Sequence, residues 1–219
     1  MIEVTWEWLG RVRYAPMLER QRLRREAVIN GSLPEILWFL EHEPVITTGR
    51  RPVPDLPSAQ KLRALHIDLA HTERGGLATF HGPGQLVVYG IIDAWERGLG
   101  AKGTIHALEE GVIQWLSTLA ISARRRTGFP GVWIENEKIC ATGMHFRRGV
   151  SMHGIALNLN IDLSGFEMIT PCGIADAGVT SVARLCGHSK PPEEVATALA
   201  PYLIQQLQRP CGPQSKPTG

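Results

Sequence analysis

The alternation of apolar and polar positions divides the chain into segments as long as the helices and strands of ordinary globular proteins. Leu86–Ile92 is almost wholly apolar, which is typical of a strand buried on both faces at the centre of a helix-covered sheet. Over residues 104–121, apolar side chains recur at steps of three and four, which predicts an amphipathic helix with Thr104 as its N-cap. The pattern therefore favours a central sheet with helices packed on it.

The rest of the chain completes an α/β outline without an internal repeat or a linker-like change in composition. We expect one domain over residues 1–208 and a disordered tail over 209–219, where three prolines and two glycines fall in eleven residues. The other predicted elements are a charged helix over 14–30, two short strands within 35–48 separated at Glu43-Pro44, a loop over 51–57, a short helix near 59–65, strands over 131–135, 138–146 and 152–163, and a helix over 192–207 that is kinked at Pro201.

Composition and charge exclude several classes of protein. Hydrophobic residues make up 43% of the chain and charged residues 20%, values that exclude general disorder. No apolar stretch approaches the roughly 18 residues that a membrane helix needs, and the first fifteen residues contain no signal-peptide core. We therefore expect a cytoplasmic protein that does not associate with membranes.

The net charge and the number of cysteines exclude two further classes of protein. The formal net charge of +2 is too small for the basic field of a nucleic-acid-binding protein. The four cysteines include no CxxC pair and are too sparse for a disulfide scaffold. Any cysteine with a special role is therefore expected to act as a thiol.

The first segment with candidate chemistry runs from Arg74 to Gln85, directly before the central strand, and contains four glycines. Glycines allow the backbone to approach a ligand closely, and exposed amides bind oxygen atoms. The segment is neither a Walker loop, since no Gly-Lys-Ser/Thr occurs, nor a dinucleotide fingerprint, since a strand follows it. The alternative is a turn-rich connection in which His81 is a hydrogen-bonded structural histidine.

The second segment is the strand from His153 to Leu163. From Ile155 onward its odd positions are all Ile or Leu, whereas the opposite face begins with Gly154 and Ala156. Such small residues leave room for a narrow ligand such as an acyl chain. The alternative is close packing of a neighbouring element against Gly154.

The third candidate combines Lys138 with Cys172, which stands between Pro171 and Gly173. Proline fixes the local backbone and glycine leaves the thiol uncrowded. Taken singly, Cys172 is typical of a buried small hydrophobe and Lys138 of a solvated lysine.

In this order the three segments resemble the lipoyl(octanoyl) transferases, the protein-modifying acyltransferases of lipoate biosynthesis. The resemblance covers most of residues 35–185. Two places depart from the family pattern: Gly90 follows Tyr89 where proline is usual, and Cys140-Ala141-Thr142 replaces an alanine-rich run. The motifs that carry the resemblance are Arg74-Gly-Gly with Thr79-Phe-His-Gly-Pro-Gly-Gln85, Lys138-Ile139, His153-Gly-Ile-Ala-Leu-Asn158 and Pro171-Cys-Gly-Ile174.

The resemblance implies a fold and a reaction. The fold is a central mixed sheet flanked by helices, as in the catalytic domains of biotin and lipoate protein ligases. The reaction moves an octanoyl group from acyl carrier protein to a lysine of lipoyl domains, including those of 2-oxoacid dehydrogenase complexes and the glycine cleavage H protein. We expect no cofactor and no metal, because an apolar slot suffices to bind an eight-carbon chain.

The resemblance also implies roles for particular residues. Cys172 is the nucleophile that forms an acyl thioester, and Lys138 lowers its pKa and carries protons. Backbone amides beside Cys172 and in the glycine-rich segment are candidates for an oxyanion hole. Cys140 is a second thiol, expected on the same strand face as Lys138 because the two are two residues apart. The expected substrate contacts are Arg74, Gly75, Gly76, Leu77, Ala78, Thr79, Phe80, His81, Ala141, Thr142, Gly143, Gly154, Ile155 and Ala156.

Two alternatives remain at this point. An ATP-dependent lipoate or biotin ligase of the same fold is disfavoured by the Pro-Cys-Gly setting and by the lack of an ATP signature. A non-catalytic protein that binds an acyl chain or a carrier protein remains open. Because both protein partners of the family are typically acidic, we expect one of three arginine runs to steer acyl carrier protein: Arg20, Arg22, Arg24 and Arg25; Arg124, Arg125 and Arg126; or Arg147 and Arg148.

Overall fold

The protein is represented by a computed structural model that describes residues 4–53, 56–169 and 177–208. Within these ranges the helices are α1 Tyr14–Ile29, α2 Ala59–Ala64, α3 Gly100–Ser117, α4 Val182–Cys186 and α5 Pro192–Gln208, with a 3₁₀ helix at Leu163–Met168. The strands there are β1 Thr5–Val12, β2 Ile36–His42, β3 Val45–Thr48, β4 Asp68–His71, β5 Ala78–His81, β6 Gln85–Ile91, β7 Arg124–Arg126, β8 Phe129–Ile134, β9 Glu137–Arg147, β10 Val150–Asn158 and β11 Gly178–Val179.

In the described part of the chain, eight strands form one mixed sheet. Seven follow the order β1-β2-β6-β10-β9-β8-β7, and β11 pairs with β9. The pairings of β1 with β2 and of β11 with β9 are parallel, whereas the others are antiparallel. Helix α1 makes the crossover between the parallel strands β1 and β2. The sequence-based prediction of a mixed sheet flanked by helices is confirmed.

Helices cover both faces of the large sheet, which explains why its central strands are apolar throughout. Along β6, Leu86 and Val88 pack on the α3 and α5 side, whereas Val87 and Tyr89 pack on the α1 side. Strand β2 divides its side chains between the same two layers. In a strand buried on both faces, every side chain packs against a neighbouring layer, so apolar residues do not alternate with polar ones.

A second, smaller sheet forms where the chain turns at Glu43-Pro44. The chain leaves the large sheet after β2, and β3 then pairs with β4 in parallel and with β5 in antiparallel. The predicted break at this proline is confirmed, and it marks a change of sheet. A core cluster that includes Ile46, Phe80 and Phe166 lies against this sheet.

Several predicted boundaries were wrong. Helix α3 begins at Gly100 and ends at Ser117, and Thr104 is not its N-cap, because its hydroxyl donates to the Gly100 carbonyl at 2.8 Å inside the helix. Two early glycines, Gly100 and Gly103, conceal this start in the sequence. Strand β10 ends at Asn158, because the amides of Leu159 and Asn160 instead donate to the Gly84 carbonyl.

Five strands within the described residues were missed by the sequence analysis: β1, β4, β5, β7 and β11. Strand β5 lies inside the glycine-rich segment that we interpreted as a loop, and β7 consists of three arginines. Helix α5 continues through Pro201 as a single helix. The predicted tail over 209–219 and residues 54–55 of the predicted loop lie outside the described residues. None of the helices in the described ranges combines the length and the apolar character needed to cross a bilayer.

Candidate active site

A cavity of about 300 Å³ lies where strands of the two sheets meet. This volume is at the lower end of the range for small-molecule sites, about 300–1,000 Å³. Its walls come from the glycine-rich segment, from β9 and β10, and from residues 128–130. Of the fourteen expected substrate contacts, all except Phe80 line it. The Phe80 ring points instead into the core of the small sheet, 5.8 Å from the Phe166 ring.

Arg74 fixes the start of the glycine-rich segment. Its Nη2 donates to the Thr47 carbonyl at 2.7 Å and to the Thr47 hydroxyl at 2.9 Å, and its Nη1 donates to the Gly75 carbonyl at 3.0 Å. The side chain is buried. Because a buried guanidinium must be hydrogen-bonded, these bonds secure the segment against β3.

Glycines allow this segment to lie directly on β9. The Gly75 amide donates to the Met144 carbonyl at 3.1 Å. A Cβ at Gly143 would lie 3.3 Å from both Arg74 Cδ and the Gly75 carbonyl oxygen. The close approach of two backbones therefore explains the glycine at position 143.

Strand β10 was predicted to pack one face in the core and to leave room for a ligand on the other, and this is partly confirmed. The side chains of Ile155, Leu157 and Leu159, the last of these just after β10, lie in the core under α3 and α5. Ala156 on the opposite face lines the cavity, as does Ile155. Gly154 also lines it, but a Cβ there would lie 2.1 Å from the Val88 carbonyl oxygen. Close packing against β6, the alternative considered for Gly154, is therefore sufficient to explain that glycine.

Lys138 lines the same cavity. Its Nζ donates to the Pro130 carbonyl at 3.1 Å and lies 4.7 Å from the centre of the Trp133 ring. The structure thus brings the predicted lysine to the expected substrate contacts. Cys172 lies outside the described residues, so its pairing with Lys138 stays a prediction.

Cys140 does not share the cavity with Lys138. Its thiol is fully buried in the core under α3 and α5, together with the neighbouring Ile139. Strict alternation would separate these neighbours, but the register between β8 and β9 shifts at this point. The expectation that Cys140 lies on the same face as Lys138 is therefore wrong. Burial raises the pKa of the Cys140 thiol far above its usual range.

Three buried imidazoles lie at or next to the cavity: His81 and His153 line it, and the His42 ring centre is 5.8 Å from that of His81. Burial lowers the pKa of His42 to about 4 and those of His81 and His153 to about 3. His81 Nδ1 lies 2.6 Å from the Gln85 carboxamide oxygen, whereas His153 Nε2 has no hydrogen-bond partner among the described residues. The three side chains are neutral at pH 7, so they supply polar contacts without charge.

A chain of amide hydrogen bonds leads away from His81. Gln85 Nε2 donates to Asn158 Oδ1 at 2.9 Å, and Asn158 Nδ2 donates to the Thr180 carbonyl at 2.9 Å. Asn158 also lines the cavity. The chain connects β6, β10 and the segment that follows β11.

Other parts of the site were missed by the sequence analysis. Tyr14, Tyr89 and His153 line the cavity, and Glu109 of α3 is buried behind it. The sequence does contain an indication of Glu109, since it is a charged residue on the apolar face of the helix, four positions after Ile105. Within residues 4–53, 56–169 and 177–208, no three His, Cys, Asp or Glu side chains are arranged to hold a metal ion.

Comparison with solved structures defines the class of the fold. A lipoate-protein ligase A bound with ATP superposes with a TM-score of 0.70 at 18% identity, covering 93% of this chain and 84% of that one. Residues 13–204 match the model of the lipoyl protein ligase A/B catalytic domain, and the chain belongs to this family.

Curated relatives are similar over most of their length. An octanoyltransferase of Nitratidesulfovibrio vulgaris is 47% identical over 185 residues, which is 84% of either chain. The mitochondrial octanoyl-[acyl-carrier-protein]:protein N-octanoyltransferase of Danio rerio is 39% identical over 202 residues, covering 91% of this chain and 90% of the relative.

Proposed function

We propose that the chain is an octanoyltransferase that moves an octanoyl group from acyl carrier protein to a lysine of a lipoyl domain through a thioester on Cys172. The acceptors are lipoyl domains of 2-oxoacid dehydrogenase complexes and the glycine cleavage H protein, and the expected location is the cytoplasm. The observation that carries the proposal is that Lys138 shares one cavity with the glycine-rich segment and with Ala156 of β10. The names of the two curated relatives support the acyl group and the donor.

The cavity suits a short acyl chain. Ala141 and Ala156, paired across β9 and β10, line it with small apolar side chains. Burial of an acyl chain contributes roughly 0.8 kcal/mol per methylene, so several methylenes contribute enough to hold the thioester while it reacts.

In the first half-reaction, the Cys172 thiolate attacks the thioester carbonyl of the octanoyl group. The carbon–sulfur bond to the carrier breaks, and the departing carrier thiolate takes a proton from the Lys138 ammonium. The product is again a thioester, so the acyl group keeps its transfer potential. A serine ester would be less activated.

In the second half-reaction, the amine of the acceptor lysine attacks the octanoyl-Cys172 carbonyl. An amide bond forms, the bond to Cys172 Sγ breaks, and Lys138, now neutral, takes the proton lost by the amine. One side chain thus donates a proton in the first half and accepts one in the second. Its position beside the Pro130 carbonyl keeps it at the cavity.

Intact-protein mass after incubation with octanoyl-acyl carrier protein tests the proposal. We expect the wild-type chain to gain one octanoyl group and to pass it to an added lipoyl domain, and we expect Cys172→Ala to gain none. Cys186→Ser is the matched control, because Cys186 is an exposed free cysteine. It should be acylated like the wild type.

Three outcomes would contradict the proposal. Full activity of Cys172→Ala would remove that residue as the nucleophile. Acylation of the lipoyl domain from free octanoate and ATP, without a carrier-bound donor, would identify an ATP-dependent ligase instead. Binding of the carrier with no gain in mass on any variant would indicate a non-catalytic binding protein.

A further inference from the structure

A buried carboxylate lies behind the cavity, on the apolar face of α3. The Glu109 side chain is only 3% exposed. Its Oε1 accepts a hydrogen bond from the Gly131 amide at 2.6 Å, and its Oε2 lies 3.4 Å from Arg125 Nε. Burial raises the pKa of Glu109, whereas the Gly131 amide and the charge of Arg125 lower it.

The peptide group that Glu109 holds is also the one that holds Lys138. Its N–H belongs to Gly131 and points to the carboxylate, and its C=O belongs to Pro130 and accepts the Lys138 ammonium at 3.1 Å. One peptide dipole therefore lies between an anion and a cation, in the orientation that both favour. Each of these hydrogen bonds polarises the peptide and strengthens the other.

The lysine side chain itself lies on this peptide. A Cβ at Gly131 would stand 3.2 Å from Lys138 Cε, 3.3 Å from Lys138 Cδ and 2.6 Å from the Cys140 carbonyl oxygen. The φ angle of Gly131 is +127°. A residue with a side chain at position 131 would therefore push the lysine stem away, and the glycine keeps ammonium and carboxylate on opposite ends of one peptide.

The ion pair with Arg125 does not by itself explain why a carboxylate is buried here. Arg125 already has a partially exposed partner, Glu110, whose Oε2 lies 2.5 Å from Arg125 Nη2. Burying a second carboxylate costs desolvation energy that an apolar side chain on this helix face would avoid. Apart from Arg125, Glu109 interacts with the Thr142 hydroxyl and accepts the short hydrogen bond from the 130–131 peptide, and only the second of these leads to Lys138.

We propose that Glu109 is a positioning residue that orients the Lys138 ammonium through the Pro130–Gly131 peptide. This inference rests on the proposed function, because it assigns a purpose to the orientation of Lys138. Glu109 acts on the proton-transfer steps and not on binding of the octanoyl group, since it is not itself one of the residues that line the cavity.

Steady-state kinetics of Glu109→Gln and Glu109→Ala test this inference. Glutamine keeps the shape and an acceptor oxygen but loses the charge, so we expect kcat to fall about threefold. Alanine removes the acceptor, and we expect kcat to fall at least tenfold. In both variants the KM for octanoyl-acyl carrier protein should stay within about twofold of wild type, a split that general loosening of the site would not give.

Glu110→Gln is the matched control. It lies on the same helix and pairs with the same arginine, but the Gly131 amide donates to Glu109 and not to Glu110, so its kcat and KM should equal those of wild type. Thermal unfolding of each variant separates loss of fold from loss of rate, and the isosteric glutamine variant remains informative should alanine fail to fold.

The inference is overturned if wild-type chain transfers octanoyl groups while Glu109→Gln and any folded Glu109→Ala keep the wild-type kcat. It is also overturned if their defect lies in KM alone. Absence of transfer by the wild-type chain would instead refute the proposed function, so the two failures are distinguishable.

Discussion

Single residues around the cavity show how burial sets charge. The ring centres of His42 and His81 are 5.8 Å apart, and the Tyr89 ring centre lies 5.7 Å from that of His42 and 6.2 Å from that of His153. Protonation of any one of them would bury a cation away from water. The low pKa of each follows first from desolvation, and for His81 next from repulsion by His42.

These residues predict a loss of stability in mild acid. An unfolded histidine titrates near pH 6.5, so between about pH 6.5 and pH 4 the unfolded chain binds protons that the folded chain does not. The free energy of unfolding therefore falls as the pH falls, by up to about 2 kcal/mol for each histidine at pH 5. Urea unfolding at pH 7 and pH 5 measures this fall.

His42→Gln, which removes one of the three titrating groups, should show a shallower dependence on pH than the wild type. An equal free energy of unfolding of the wild-type chain at the two pH values would show that these imidazoles accept protons in the folded state.

At the scale of elements, a buried ion pair joins the large sheet to the end of α5. Glu35, just before β2, accepts from Arg97 Nε and from the Asp93 amide, and Arg97 Nη1 donates to the Leu207 carbonyl. Both side chains are at most 5% exposed. Three separate segments therefore depend on one pair of charges.

We expect Glu35→Ala to lower the free energy of unfolding by about 3–5 kcal/mol, because it leaves Arg97 buried without its carboxylate. The matched control is Asp68→Ala, which removes one partner of the exposed pair Arg13–Asp68 and should cost about 1 kcal/mol or less. Urea unfolding of the two variants measures both losses of unfolding free energy. Equal losses would mean that the buried pair contributes no more to stability than the exposed one.

The elements that the sequence predicts well are those whose pattern reflects one dominant environment. The near-continuous apolar run of β6 and the amphipathic repeat of α3 both follow from burial against a large neighbour. The strand β7 and the strand β5 could not be found in this way. The first is a run of arginines that only pairing with β8 makes a strand, and the second is hidden among glycines.

At the scale of the whole molecule, many arginines of the three runs have partners within the chain, which narrows the choice of a docking surface. The run Arg124–Arg126 forms β7 and leads directly into residues 128–130 at the cavity. The arginines held in ion pairs with acidic side chains include Arg20 with Glu7, Arg22 with Glu73, Arg125 with Glu109 and Glu110, and Arg147 with Glu26.

We therefore expect Arg124→Glu to raise the KM for octanoyl-acyl carrier protein several-fold at low salt. The effect should fade at high salt, because screening weakens long-range attraction to an acidic carrier. Arg63→Glu, the same charge change at an exposed position of α2, should leave the KM unaltered. An equal KM for the Arg124 variant and the wild type at low salt would rule out this run as the docking surface.

The segments that line the cavity were predictable, but the contacts that support them were not. Short motifs identified the segments around Arg74, Lys138 and Gly154 because each motif needs particular residue types. The role of the Pro130–Gly131 peptide could not be predicted, since it depends on backbone groups and on a helix residue 22 positions away from Gly131. Pattern analysis detects side chains, whereas this contact is made by the main chain.

The cavity is built from segments in both halves of the chain. Before the turn that follows α3, the chain contributes Tyr14, the glycine-rich segment and Tyr89, and after that turn it contributes residues 128–130, Lys138 and the face of β10. Glu109 and the peptide it holds also fall on opposite sides of this division. Two fragments separated there would each carry half of a site, and only their reassociation would restore it.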